Sequence, residues 1–215
     1  MVALATKGQS VGLPSGFKRL TASMTWAKGT DFDLAAWFVT KNGRTGLAYY
    51  GNREQPDAQG FVQWLTAAPF MKLSADAGQG DKQDSVAGNK EELVIASLES
   101  YAKVYLIVWD YTCVQGKSAD KDGPAVAKGS PARFQGSNLS MRLTDDRGMD
   151  HVVQFELAKG MVAPKANVGL VAILDNTGTE TRLTNSSHIE LWHGLSDTEQ
   201  FSEFVKHAEE QLTAW

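Results

Sequence analysis

Gly29-Thr30-Asp31-Phe32-Asp33-Leu34-Ala35-Ala36-Trp37 opens an apolar and aromatic run that continues to Thr40. In a β-strand successive side chains point to opposite faces, so Asp31 and Asp33 project together while Phe32 and Leu34 point the other way. Two carboxylates at i and i+2 repel each other unless water, hydrogen bonds or a cation offsets the charge. Lys41-Asn42-Gly43-Arg44 follows, and its Asn-Gly pair is the signal of a tight hairpin into a second strand at 47–50. A strand, a two-residue turn signal and a returning strand point to antiparallel β structure.

The same period-two rhythm recurs along the chain. Segment 17–26 alternates, with Leu20, Ala22, Met24 and Trp26 on one face. Segments 93–98 and 104–111 read as strands, the second apolar enough to be buried on both faces. Segments 139–143 and 152–157 flank Asp145-Asp146-Arg147-Gly148, and segments 168–175 and 179–184 flank Asn176-Thr177-Gly178, which predicts two more hairpins. Roughly eight or more short strands joined by tight turns predict an all-β, two-sheet sandwich. Two segments break the rhythm. Residues 113–137 form a long polar insertion rich in Gly, Lys, Asp and Pro. At the C-terminus Ser196-Asp197-Thr198-Glu199 is a capping-box pattern, and Phe201, Phe204, Val205, Ala208, Leu212 and Trp215 then make one apolar stripe at helical spacing. The expected organisation is one sandwich domain over 1–195, carrying the insertion, with an amphipathic helix over 196–215 packed on it.

Composition narrows the function. The chain has 215 residues and a net charge of −4, which argues against a nucleic-acid partner. One cysteine, Cys113, permits no intrachain disulfide and no thiolate metal cluster, which fits a reducing, cytoplasmic setting. Residues 1–8 lack the basic and apolar regions of a signal peptide, and no apolar run is long enough to span a bilayer. His151, His188, His193 and His207 are scattered without zinc-pair spacing, and His188 and His193, close in sequence, read as surface residues; Cys113 reads as a packed thiol. The six tryptophans fall mostly in strands and read as core. With no phosphate-binding loop, serine elbow or acid/base motif, the expectation is a protein that is not an enzyme.

A second acidic cluster, Asp76-Ala77-Gly78-Gln79-Gly80-Asp81-Lys82-Gln83-Asp84, is followed by Glu91-Glu92 before the next strand. Calcium takes six to eight oxygen ligands from carboxylates and carbonyls, and glycines let backbone carbonyls turn inward. Composition alone leaves two readings open, a solvated acidic loop and a metal loop. Asp120-Lys121-Asp122-Gly123 is faintly calcium-like as well, but Lys117, Lys121 and Lys128 can neutralise it.

Taken in order, these residues resemble the TerD domain family of tellurium-resistance and stress-response proteins. The resemblance rests on Ala3-Leu4-Ala5-Thr6-Lys7-Gly8-Gln9-Ser10-Val11-Gly12-Leu13 at the start, Asp31-Phe32-Asp33-Leu34-Ala35 as the signature strand, and Tyr50-Gly51-Asn52 after the next strand. It continues through the acidic glycine loop, Trp109-Asp110, and Phe134-Gln135-Gly136-Ser137-Asn138. It implies a non-enzymatic β-sandwich that binds Ca2+ where the signature strand meets the acidic loop. The implied metal ligands are Asp31, Asp33, Asp76, Asp81 and Asp84, with Glu91, Glu92 and the carbonyls of Gly78 and Gly80. Ala35 stands where the family places a third acid, and Lys82-Gln83 interrupt the loop, so the site is reduced to one ion or to none. The implied partners are other protein chains of a stress-response complex, including a possible homo-oligomer. The other reading is a structural or assembly subunit of a larger particle that keeps the TerD fold with a weakened or lost metal site.

Overall fold

The computed structural model describes residues 1–14, 17, 19–26, 31–57, 60–74, 89–117, 125–131, 134, 138–154, 165–195 and 198–213. In chain order the strands are β1 (Val2–Leu4), β2 (Ser10–Gly12), β3 (Leu20–Trp26), β4 (Phe32–Thr40), β5 (Thr45–Ala48), β6 (Met71–Leu73), β7 (Asn89–Ile95), β8 (Tyr101–Asp110), β9 (Ser140–Asp145), β10 (Asp150–Gln154), β11 (Val168–Asp175) and β12 (Arg182–Glu190). Two helices complete the described elements, α1 (Tyr111–Gln115) and α2 (Thr198–Thr213), with a 3-10 turn at Tyr50–Asn52.

Six strands form the first sheet in the order β1-β10-β9-β3-β7-β6, and six form the second in the order β2-β12-β11-β8-β4-β5. Every named pairing is antiparallel except β1 with β10. The architecture is an all-β sandwich. Its main core lies between the sheets, where Leu20, Ala22, Met24 and Trp26 of β3 meet Phe32, Leu34, Ala36 and Phe38 of β4 and Val104, Leu106 and Val108 of β8. A second core lies on the far side of the second sheet. There Trp37, Tyr105, Ile107, Trp109, Val168 and Leu170 pack against Phe201, Phe204, Val205 and Ala208 of α2.

This asymmetry explains the two sequence patterns. The first sheet is covered on one face, so β3 alternates buried and more exposed residues. The second sheet is covered on both, so β4 and β8 are buried nearly throughout. Trp26, Trp37, Trp109 and Trp192 are buried as read from the sequence; Trp64 is not, at 52 % exposure. Trp215 lies outside the described residues.

The turns follow local chemistry. At the Asn42-Gly43 hairpin, Gly43 adopts φ 81°, a left-handed conformation that disfavours a side chain, and Thr40 N–H donates to the Arg44 carbonyl at 2.8 Å. The β9–β10 hairpin is held by Asp145, whose carboxylate accepts from the backbone of Arg147 at 3.0 Å and Met149 at 2.8 Å and pairs with the Arg147 guanidinium at 2.8 Å.

Several elements differ from the sequence reading, each for a physical reason. The strand read at 179–184 begins later, at Arg182, and runs on through Asn185-Ser186-Ser187-His188 to Glu190. Those residues look like a loop in composition, yet Asn185 donates to the carbonyls of Leu4 at 3.0 Å and Gln154 at 2.8 Å. The strand read at 93–98 starts earlier, at Asn89, since Glu91 is turned into the sandwich and hydrogen-bonded there. The strand read at 47–50 ends at Ala48, where Asn52 redirects the chain by donating to the Leu47 carbonyl at 2.7 Å and accepting from Tyr49 N–H at 3.1 Å. The polar insertion read as starting at 113 is helical at its beginning, as part of α1. Asp110 caps that helix by accepting from Cys113 N–H at 3.0 Å.

Candidate metal centre

Asp31 and Asp33 stand where β4 begins, at the end of the second sheet. Both carboxylic residues are buried, at 3 % and 4 % exposure. Their positions follow from the strand period: Phe32 and Leu34 enter the core between the sheets, so the flanking aspartates face the opposite side, the side of Trp37 and Trp109. The β4–β8 ladder sets Asp33 opposite Trp109, whose indole Nε1–H donates to Asp33 Oδ2 at 2.8 Å. The ladder is extended past the strand by Tyr111 N–H, which donates to the Asp31 carbonyl at 2.8 Å.

A tyrosine cluster lines this strand end. Tyr50 meets Tyr111 edge to face with ring centres 5.8 Å apart, and the Lys117 ammonium donates to the Tyr111 hydroxyl at 2.6 Å. Burial first, then Tyr111 and the Asp33 carboxylate, push the Tyr50 phenol far above its ordinary range, so it is a neutral hydrogen-bonding group at physiological pH. Tyr50 and Tyr111 were not singled out as functional side chains from the sequence. In the sequence Tyr50 stands out only within the Tyr50-Gly51-Asn52 step of the family resemblance, and Tyr111 only as the end of the strand read at 104–111.

Glu91 and Glu92 part company. Glu91 is buried at 5 % exposure and crosses from β7 to the other sheet, where its Oε2 accepts from Leu34 N–H at 2.8 Å. That N–H needs a partner because β5 pairs with β4 only from Ala36 to Val39, leaving the strand edge at Leu34 uncovered. Glu92 projects to the outer face of the first sheet and bonds there to Ser23 Oγ at 2.8 Å and Lys90 Nζ at 2.6 Å. Lys90 and Ser23 together hold its carboxyl below the usual carboxylate range.

Compared with known proteins, the chain matches no family model, no curated protein and no solved structure.

The structure thus buries Asp31 and Asp33 at the head of β4, sets Asp33 against Trp109 and carries Glu91 to the adjoining edge of β4, while Glu92 faces away. Asp76, Gly78, Gly80, Asp81 and Asp84 lie outside the described residues, as do Asp120, Lys121, Asp122 and Gly123. Among the described residues no three His, Cys, Asp or Glu side chains form a group able to hold a metal ion. The donors that are placed are carboxylate oxygens with no thiolate or imidazole beside them on β4, a hard set that fits calcium or magnesium better than zinc or copper. His188, read as a surface residue from the sequence, is buried at 4 % exposure; His151 is buried as well, at 2 %. Cys113 is a buried free thiol near the Pro131 carbonyl, at 3.6 Å.

Proposed function

We propose that this chain is a TerD-like calcium-binding β-sandwich that acts without enzymatic activity in a stress-response or tellurium-resistance system. One observation carries the reading: Asp31 and Asp33, two residues apart at the head of β4, are both buried, and the strand period sets them on one face. Burial and like charge both disfavour ionising such a pair, and a nearby positive charge reverses that preference. A bound calcium ion supplies that charge and ties the strand to whatever else ligates it.

The residues of the chain have separable roles in this proposal. Asp33 is oriented by the Trp109 indole, which donates to its Oδ2 at 2.8 Å. Asp31 is fixed through its own backbone by Tyr111. Asp76, Asp81, Asp84 and the carbonyls of Gly78 and Gly80 complete the ligand set by their oxygen chemistry. Glu91 serves the edge of β4, and Glu92 takes no part, because its carboxylate is engaged on the opposite surface of the first sheet.

Calorimetric titration with calcium tests the proposal, with Asp33→Asn as the comparison. The asparagine keeps an oxygen for the Trp109 N–H and removes the charge. The wild type is expected to release or absorb heat and to gain roughly 5–11 °C in melting temperature at a hundredfold excess of calcium over Kd. Asp33→Asn is expected to lose most of both. A wild type with neither a binding heat nor a calcium-dependent melting shift contradicts the proposal.

A further inference from the structure

Two buried carboxamides at the β5 and β6 end of the sandwich have no part in the metal reading. β5 ends the second sheet and β6 ends the first. Asn52 and Gln63 lie against them at 0 % and 1 % exposure. Asn52 Nδ2 donates to the Leu47 carbonyl at 2.7 Å, and its Oδ1 accepts from Tyr49 N–H at 3.1 Å. Gln63 Nε2 donates to the Tyr49 carbonyl at 2.6 Å and to Asn52 Oδ1 at 2.7 Å. Gln63 Oε1 accepts from Leu73 N–H of β6 at 2.7 Å, so this one side chain touches the edges of both sheets.

Strand register decides which way those backbone groups point. Thr40 N–H donates to the Arg44 carbonyl, so the hydrogen-bonded pairs of the β4–β5 ladder step by two through Phe38↔Gly46 and Ala36↔Ala48. Thr45, Leu47 and Tyr49 alternate with them and turn their N–H and C=O groups away from β4. Across β6 and β7, Ser74 N–H donates to the Glu92 carbonyl and Ala96 N–H to the Phe70 carbonyl, with Lys72↔Val94 between them. Leu73 alternates with these and turns its N–H outward. The groups held by Asn52 and Gln63 are therefore outer-edge groups, the ones to which a further strand would bond.

A carboxamide carries both a donor and an acceptor, so it satisfies two edge groups of opposite kind, as one residue of a neighbouring strand does. Asp57 positions the pair: its Oδ2 accepts from Asn52 Nδ2 at 3.1 Å and its Oδ1 from Phe61 N–H at 2.9 Å. Gln63 N–H then donates to the Asn52 carbonyl at 3.0 Å, which brings the two side chains together. The segment they cover needs cover. Thr45-Gly46-Leu47-Ala48-Tyr49-Tyr50 contains no charged residue and no proline, the two residue kinds that otherwise keep an edge strand from pairing with another chain.

We propose that Asn52 and Gln63 guard the β5 edge against a second copy of this chain, by occupying the bonding positions at which β5 of that copy would add antiparallel to β5. The occupant follows from the strand itself. An uncharged edge pairs with its own copy about a twofold axis without bringing like charges together, and each β5 then offers the other the same outward groups of Thr45, Leu47 and Tyr49. Such pairing would join the second sheets of two chains into one continuous sheet. The guard holds as long as both carboxamides keep their bonds, and its loss opens this edge rather than the far side of the sandwich, where Asn185 ties β12 to Leu4 and Gln154.

Sedimentation velocity of the full-length chain across a range of concentrations tests the guard. Asn52→Leu keeps the volume without donor or acceptor, and its mass is expected to rise with concentration above that of the wild type, by up to one further chain. Gln63→Met, which leaves the Asn52 bonds in place, is expected to rise less. Adding Thr45→Pro to either variant removes an outward N–H from β5 and is expected to return the mass to the wild-type value without restoring the melting temperature. Asn185→Ala is expected to melt lower yet gain no mass, which separates pairing from a general loss of stability. In the wild type, hydrogen exchange of the Tyr49 and Leu73 amides is expected to be at least about a hundredfold slower than in an unstructured peptide. Wild-type mass in both Asn52→Leu and Gln63→Met, a mass gain that Thr45→Pro leaves in place, or unprotected Tyr49 and Leu73 amides overturns the proposal.

Discussion

Replacing Phe204 by alanine removes the centre of the α2 contact. The ring is 1 % exposed and packs edge to face against Trp192 with centres 5.3 Å apart and against His188 at 5.1 Å. Its neighbours Phe201, Val205 and Ala208 are buried in the same cluster, so collapse into the space is limited. Burying a phenyl side chain removes about 150–250 Å2 from water, worth ~4–6 kcal/mol at about 25 cal/mol per Å2. A reference chain that already hides part of this area lowers the figure, and measured Phe→Ala costs in cores are about 3–5 kcal/mol. The expected loss is therefore about 3–5 kcal/mol, or roughly 6–20 °C in melting temperature for a chain of this size. Phe204→Leu, which keeps most of the volume, is expected to cost about 1–1.5 kcal/mol. Lys206→Ala, on the exposed side of the helix, is expected to stay within about 0.5 kcal/mol of the wild type. Urea titrations followed by far-ultraviolet circular dichroism and by tryptophan fluorescence measure all three. Fluorescence is informative because Trp37, Trp109 and Trp192 belong to the affected cluster. A Phe204→Ala protein within 1 kcal/mol of the wild type refutes the assignment of α2 as the cover of the second sheet.

Three further outcomes are expected. Glu91→Leu strands the buried Leu34 N–H and is expected to cost about 1–3 kcal/mol in urea titration, whereas Glu91→Gln, which keeps an acceptor, costs about 1 kcal/mol or less; equal costs contradict the assigned bond. Asn185→Ala cuts two buried bonds that tie β12 to β1 and β10 and is expected to cost about 2–4 kcal/mol, with unchanged stability as the contrary result. Burial lowers the titration of His151 below its free value of 6.5, against the pull of Asp145, so its contribution is present above about pH 6.5 and lost as pH falls. His151→Leu is accordingly expected to narrow its stability gap to the wild type as the solution is acidified, and a gap that widens refutes the buried neutral state.

Much of this architecture is legible in the sequence because burial leaves a periodic mark. The alternation of Leu20, Ala22, Met24 and Trp26 and the unbroken apolar run of β8 report one-sided and two-sided burial directly. The aspartates flanking Phe32 were placed on a common face by strand period alone. What escaped was polar. Asn185-Ser186-Ser187-His188 has the composition of a loop, and only long-range hydrogen bonds to Leu4, Gln154 and Gln211 reveal it as buried strand. Glu91 and Glu92 are adjacent in sequence and look like one acidic run, yet neighbouring residues of a strand face opposite ways, so one enters the sandwich and the other the solvent side. The contacts of His188 with Gln211 and of Glu190 with His207 could not be read from spacing, because those partners come from a helix many residues away.

Terbium luminescence tests the central claim most directly. Terbium(III) substitutes for calcium in oxygen-rich sites and emits when a neighbouring indole is excited. Trp109 lies in hydrogen-bond contact with Asp33, at 2.8 Å, so an ion held by Asp31 and Asp33 sits beside an antenna. The account predicts sensitised emission from the wild type that calcium competes away and that Asp33→Asn abolishes. No sensitised emission, or equal emission from the wild type and Asp33→Asn, contradicts a metal centre at the head of β4.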